Sequence, residues 1–143
     1  MLKTQSNTQR GPLNFAMAAD LTGLDGRLLK LTHNGDGLTQ VALPAAVNDI
    51  TLFVLDDAGV GKAIPLDPAQ NTRVRAKGAG NAGDVLVLSD PAAAAGAHAG
   101  KAEAIGATAG VYFSPGIAEE KFVDGQLVLI RPFPRLVTVE AQA

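Results

Sequence analysis

From Arg27 to Val139 the chain repeats one pattern, a run of five to seven residues rich in Val, Leu, Ile and Thr followed by a break of Gly, Pro, Asn or Asp. The runs are Arg27–Thr32, Leu38–Leu43, Ile50–Leu55, Val60–Leu66, Thr72–Lys77, Val85–Ser89, Gly110–Ser114, Gln126–Arg131 and Arg135–Glu140. Short apolar and β-branched runs at this spacing predict an all-β fold, a single small β-sandwich or β-barrel domain. The clearest local signal is His33-Asn34-Gly35-Asp36-Gly37 between two such runs, because Asn-Gly and Asp-Gly supply the positive φ angles of a tight hairpin. A second hairpin is predicted to turn at Asp56-Asp57-Ala58-Gly59. Pro44 and Pro65 fall at strand ends, where a missing N–H is tolerated.

Three stretches depart from the pattern. Residues 1–12, Met1 to Pro12, are polar and lack a period of 2 or 3.6, so they are read as an extended N-terminal arm ahead of a β domain over residues 13–143. Leu13–Ala19 is read as a first strand with Leu13, Phe15 and Met17 on one face. Asp90–Gly106 mixes Ala with Gly, which subtracts about 1 kcal/mol of helix preference per residue, and is read as a loop with room for one helical turn. A loop that long is a candidate contact region. Ala118–Lys121 suits a short helical turn, and Pro132-Phe133-Pro134 suits a corner or sheet switch between two strands.

Composition narrows the function. Apolar residues make up 47% of 143 positions but aromatics only 4%, so the core is filled by aliphatic side chains and a partner is expected to supply part of the stability. A formal net charge of −2 argues against nucleic acid, whose nonspecific affinity comes from Lys and Arg on phosphates. There is no Cys and hence no thiolate site. Lys3 is followed by no apolar h-region, and no apolar run reaches the ~18 residues of a membrane span, so the expectation is a protein that stays soluble where it is made, with no membrane partner.

Few residues carry chemistry. Gly78-Ala79-Gly80-Asn81-Ala82-Gly83 matches G-x-G-x-x-G, but Val85-Leu86-Val87-Leu88 begins a strand where a phosphate loop needs a helix, so it is read as a turn region. His33 and His98 stand alone and Ser114 lacks a nucleophile elbow and a base, which leaves surface and turn roles. The pairs Asp56-Asp57 and Glu119-Glu120 are read as solvated turn charges, and Arg73, Arg75 and Lys77 as one basic face of a strand that could meet an acidic partner. No catalytic residue, metal ligand or cofactor site is assigned, and no enzyme activity is expected.

Segment order suggests a family. Asp20-Leu21-Thr22-Gly23, Gly26-Arg27-Leu28-Leu29-Lys30-Leu31, Val41-Ala42-Leu43, Ile50–Leu55, Gly80-Asn81-Ala82-Gly83-Asp84-Val85-Leu86, Ala104-Ile105-Gly106-Ala107 and Asp124-Gly125-Gln126-Leu127-Val128-Leu129-Ile130 together resemble the small capsid decoration, or cement, proteins of tailed bacteriophages. The likeness runs from Asp20 onward and is one of cadence, without a catalytic signature. It implies a β domain on the outer surface of a phage head, a homo-oligomer with a trimer favoured, and the major capsid protein as partner. Contacts are expected from the arm, through Lys3, Thr4, Asn7 and Arg10, and from the 90–106 loop. The competing expectation is a carbohydrate- or receptor-binding β module, against which the scarcity of aromatic rings counts.

Overall fold

A computed structural model describes residues 13–57 and 62–142. The fold is all-β: β1 (Leu13–Asn14), β2 (Ala16–Met17), β3 (Leu28–His33), β4 (Thr39–Ala42), β5 (Phe53–Asp57), β6 (Lys62–Pro65), β7 (Thr72–Arg75), β8 (Val85–Leu88), β9 (Ala102–Ala104), β10 (Gly110–Ala118) and β11 (Leu127–Val139), with one 3-10 turn at Ala93–Gly96. The strands form two sheets, ordered β1-β6-β5-β3-β4-β2 and β7-β11-β10-β8-β9.

The first sheet returns on itself. Leu13 and Asn14 pair with Ala63 and Lys62 of β6, while Ala16 and Met17 pair in parallel with Gln40 and Val41 of β4. The segment 13–17 thus bridges the two ends of the β6-β5-β3-β4 ladder and closes it into a ring. The single strand expected at Leu13–Ala19 is split in two by this change of partner at Phe15. Leu21, Leu29, Val41, Leu55 and Ala63 fill the ring, with Phe15, Met17, Leu24, Leu43 and Phe53 packed against them.

Strands β3 and β5 serve two cores at once. Leu28 and Val54 are register partners and point into a larger core shared with the second sheet, whereas their neighbours Leu29 and Leu55 point into the ring. Successive side chains of a strand face opposite ways, so a strand buried on both faces must carry apolar doublets in place of an alternation. Leu28-Leu29 and Val54-Leu55 are those doublets, each residue 2% exposed or less. The larger core adds Leu66, Val74, Ala76, Leu86, Leu88, Ala102, Phe113, Ala118, Phe122, Val128 and Ile130. Backbone bonds stitch the sheets together around Gly26, which donates to Leu55 and accepts from Arg75.

The hairpin at residues 33–37 forms as expected: Asn34 Oδ1 accepts the N–H groups of Asp36 and Leu38, and β3 pairs with β4 on either side. Strands β5 and β6 also pair antiparallel, although β5 starts at Phe53 and not Ile50 and runs through Asp57; residues 58–61 of the predicted bend lie outside the described residues. Other expectations are corrected. Asp90–Gly106 is not all loop, since Ala102–Ala104 pairs with β8. Ala118–Lys121 is not a helical turn, because the N–H groups of Ala118 and Glu119 are taken by Asp84 and Leu129.

Pro132-Phe133-Pro134 is no corner either. One strand runs from Leu127 to Val139, and the prolines are accommodated by a bulge: Gly116 pairs with Pro132 and Ser114 with Arg135, leaving Phe133 and Pro134 opposite Pro115. Gly116 has a φ of 150°, and a side chain there would run into the Arg131 carbonyl, so close approach of the two backbones at the bulge requires glycine. Ser114 is therefore a fully buried strand residue and not a turn serine.

Candidate interaction surface

The longest feature of the second sheet is the β10–β11 hairpin, which outruns its neighbours. Strand β7 accompanies β11 only over Leu127–Ile130, and β8 accompanies β10 only at Gly116 and Ile117. Beyond the bulge, Gly110–Ser114 and Arg135–Val139 form a two-stranded ribbon. Among the described residues no strand pairs with its β11 edge, and its β10 edge is met by the 45–49 segment, where Phe113 donates its N–H to the Val47 carbonyl at 2.7 Å.

Directly paired residues share a face, and so do residues two apart. Phe113 pairs with Leu136 and Val111 with Thr138, so these four side chains line one side of the ribbon. Phe113 is 1% exposed in the larger core, whereas Val111 and Leu136 are 42% and 51% exposed. The core-facing side of the sheet thus continues past the end of the core as an uncovered apolar strip. At the bulge Phe133 is also exposed, with the Arg135 guanidinium 4.6 Å above its ring.

The charged residues at the other end of the hairpin are occupied in holding the fold. Arg73, read as part of a basic strip, pairs with Glu120 at 2.9 Å and donates to the Leu127 carbonyl. Arg75 donates to the carbonyls of Gly125 and Asp25, and Lys77 pairs with Glu103. The strip is therefore engaged within the molecule. Glu120 is more than a solvated turn charge: its carboxylate accepts the Leu129 N–H at 3.0 Å, and bonds from Arg73 and Gln126 as well. The Leu129 bond, opposed by partial desolvation and reinforced by Arg73 and Gln126, holds its pKa below the usual range. Glu119 pairs with Arg131, and Asp56 with Lys62.

The G-x-G-x-x-G segment is a turn region as expected. Gly80 forms a bridge with Phe122, the Asp84 carboxylate accepts the Asn81 N–H, and β8 follows at once. The 90–101 stretch is pinned at its base. Buried Ser89 donates to the carbonyls of His98 and Lys101, and Arg27 donates to those of Ala97 and Ala99. Burial, and after it the nearby charge of Arg75, pulls the pKa of Arg27 down from its ordinary value. The 3-10 turn forms the middle of this stretch, with Ala94 and Ala95 held in the left-handed region at φ 50° and 57°.

His33 closes β3, while His98 lies beside Lys101. Among the described residues no three His, Asp or Glu converge as a metal-binding group. No described helix is long and apolar enough to cross a membrane. Lys3, Thr4, Asn7 and Arg10, the contact residues expected of the arm, lie outside the described residues. Sequence reasoning missed the ribbon because Pro132-Phe133-Pro134 reads as an interruption; the signal available was the matched length of apolar alternation on its two sides. No protein-family model, curated protein or solved structure matches the chain.

Proposed function

We propose that this protein is a non-catalytic β module that decorates the outer surface of a phage head and holds neighbouring major capsid subunits together, acting as a small homo-oligomer. One observation carries most of the weight. The apolar strip of Val111 and Leu136 continues the face that Phe113 buries, on a ribbon that projects beyond the rest of its sheet. A projecting ribbon with half-exposed aliphatic side chains suits docking to a folded protein surface, where apolar burial supplies affinity and a strand edge supplies directional hydrogen bonds. Many identical weak contacts on a symmetric shell add up to retention without any single tight site. The cadence shared with capsid decoration proteins supports the same reading.

The arm enters as a second contact, through Lys3, Thr4, Asn7 and Arg10. The test is cosedimentation of the purified chain with undecorated immature and expanded phage heads, followed by imaging of the decorated particles. Saturable density at fixed lattice positions is expected, with occupancy reduced by Val111→Ser/Leu136→Ser and by removal of residues 1–10, each variant retaining its fold by circular dichroism. An absence of binding to either form of head would sink the proposal; full binding by the ribbon variant would sink the role of the strip.

A further inference from the structure

The ring of the first sheet is closed by its thinnest element. Strands β6, β5, β3 and β4 are joined to one another by ladders of two to four register pairs and by two hairpin connections within residues 28–65. Residues 13–17 are held by two register pairs on each side, plus the bond from Ala18 N–H to the Val41 carbonyl. Their apolar contribution is partial: Phe15 and Met17 lean on the ring core without being fully buried, and Phe15 meets Phe53 edge-to-face with centroids 5.1 Å apart.

The chain is built to pivot just after this segment. Ala18, Ala19 and Asp20 are exposed, and past the Ala18–Val41 bond none of them belongs to a strand. The next residue, Leu21, is 2% exposed inside the ring core, and the Asp20 carboxylate accepts both the N–H and the hydroxyl of Thr22, which fixes the chain beyond the pivot. Were residues 13–17 to swing out as a unit, the Asp20–Thr22 bonds and the burial of Leu21 would not have to be broken. What they leave is a slot between the edges of β4 and β6, with unpaired backbone groups on both sides and a gap in front of Phe53. An empty slot of this kind is costly, since it exposes apolar surface and two strand edges.

We infer that the slot between β4 and β6 is an exchange site, filled by residues 13–17 of the same chain in the monomer and by residues 13–17 of a second copy in an oligomer. The second copy is the fitting occupant because it alone is certain to bring the same side chains: Leu13 opposite Ala63, Phe15 at Phe53, Met17 beside Val41. Each interaction broken when the slot opens is remade on exchange, so the cost is limited to association and to the geometry of the pivot. The three pivot residues span about 10 Å when extended, enough to redirect the strand toward a neighbour. Exchange of this kind belongs to the isolated protein, whether or not the partner surface is a phage head.

The chain contains no Cys, so paired cysteines report the exchange without background. Leu13 and Ala63 are register partners, as are Asn14 and Lys62, and cross-strand antiparallel partners lie within disulfide reach. Full-length Leu13→Cys and Ala63→Cys chains are mixed, refolded together at rising concentration and oxidised, with each single variant oxidised alone as the reference. Exchange is expected to give a band at twice the chain mass in the mixture, in excess of either reference and growing with concentration. The double variant should shift from intrachain closure when dilute to interchain closure when concentrated. The Asn14→Cys and Lys62→Cys pair repeats the test with buried Ala63 left in place, in case Ala63→Cys disturbs folding. Intrachain closure at every concentration, with no excess of mixed dimer, would overturn the inference. So would failure of both double variants to close in either way, because the seam would then not be made as described.

Discussion

The two cores on either side of the β3–β5 wall differ in how they are completed. The larger one buries Phe113 and Phe122 and draws on β3 and β5 together with every strand of the second sheet, so that no single short element is needed to seal it. Among the described residues the ring core has five buried members, the bulkiest of them leucines, and the aromatic rings of Phe15 and Phe53 sit at its margin beside the two-residue strands that close it. Since stability within one molecule follows buried apolar contacts and protected backbone bonds, the ring is expected to open first. One molecule thus combines a self-sufficient half with a half whose closure is replaceable.

The largest expected effect falls on the self-sufficient side. Phe122→Ala removes a ring that is 1% exposed and should cost about 3–5 kcal/mol, read as a lower midpoint in urea denaturation. Phe15→Ala should cost less, roughly 1–2 kcal/mol, because its ring is only partly buried. The sharper readout is hydrogen exchange. Phe15→Ala should deprotect the amides of residues 13–17 and of the facing edges of β4 and β6, and leave those of β8 and β10 unchanged. Equal deprotection of both halves would erase the distinction between the cores.

The smallest effect is electrostatic and belongs to the joint between β7 and β11. Glu120 has a pKa lowered by its bond from Leu129 and by its other partners, against an ordinary value of 4.5. A carboxyl whose folded pKa is depressed contributes stability above its unfolded pKa, and that contribution is lost as pH falls through the folded value. Asp20, whose pKa is lowered by the Thr22 hydroxyl and N–H, acts in the same sense. Burial raises the pKa of Asp49, but bonds from Ala45, Lys30 and Ala46 outweigh it and leave it lowered as well. Thermal midpoints should therefore decline on acidification below about pH 4.5, and Glu120→Gln should make that decline shallower. An unchanged slope in the variant would remove Glu120 from the joint.

The all-β class and most of the strands were legible in the sequence, because turn chemistry and strand runs are local. Asn34-Gly35-Asp36-Gly37 specifies its hairpin, and the runs that contain Leu28-Leu29 and Val54-Leu55 are strands as expected, although the burial of both their faces was not read from them. What was not legible depends on partners distant in sequence. Ala102–Ala104 is a strand because β8 offers it an edge, not because Ala-Glu-Ala favours one. Residues 13–17 change partner at Phe15 because β4 and β6 present their edges on opposite sides of them. The prolines of β11 misled for the same reason: a bulge can absorb them only when Gly116 stands across the strand. The candidate surface was less legible than the fold, since exposure of Val111 and Leu136 is decided by where the core stops.

The prolines also bear on how such a molecule behaves when crowded. An open strand edge, such as that of β11 beyond β7, is an invitation to indefinite sheet growth, in which copy after copy adds its edge to the last. Pro132 and Pro134 lack the amide proton that a continuous ladder uses, and the bulge between them throws the register of the outer rim out of step. A ladder growing along the β11 edge would therefore be interrupted at the base of the ribbon, where the two prolines stand.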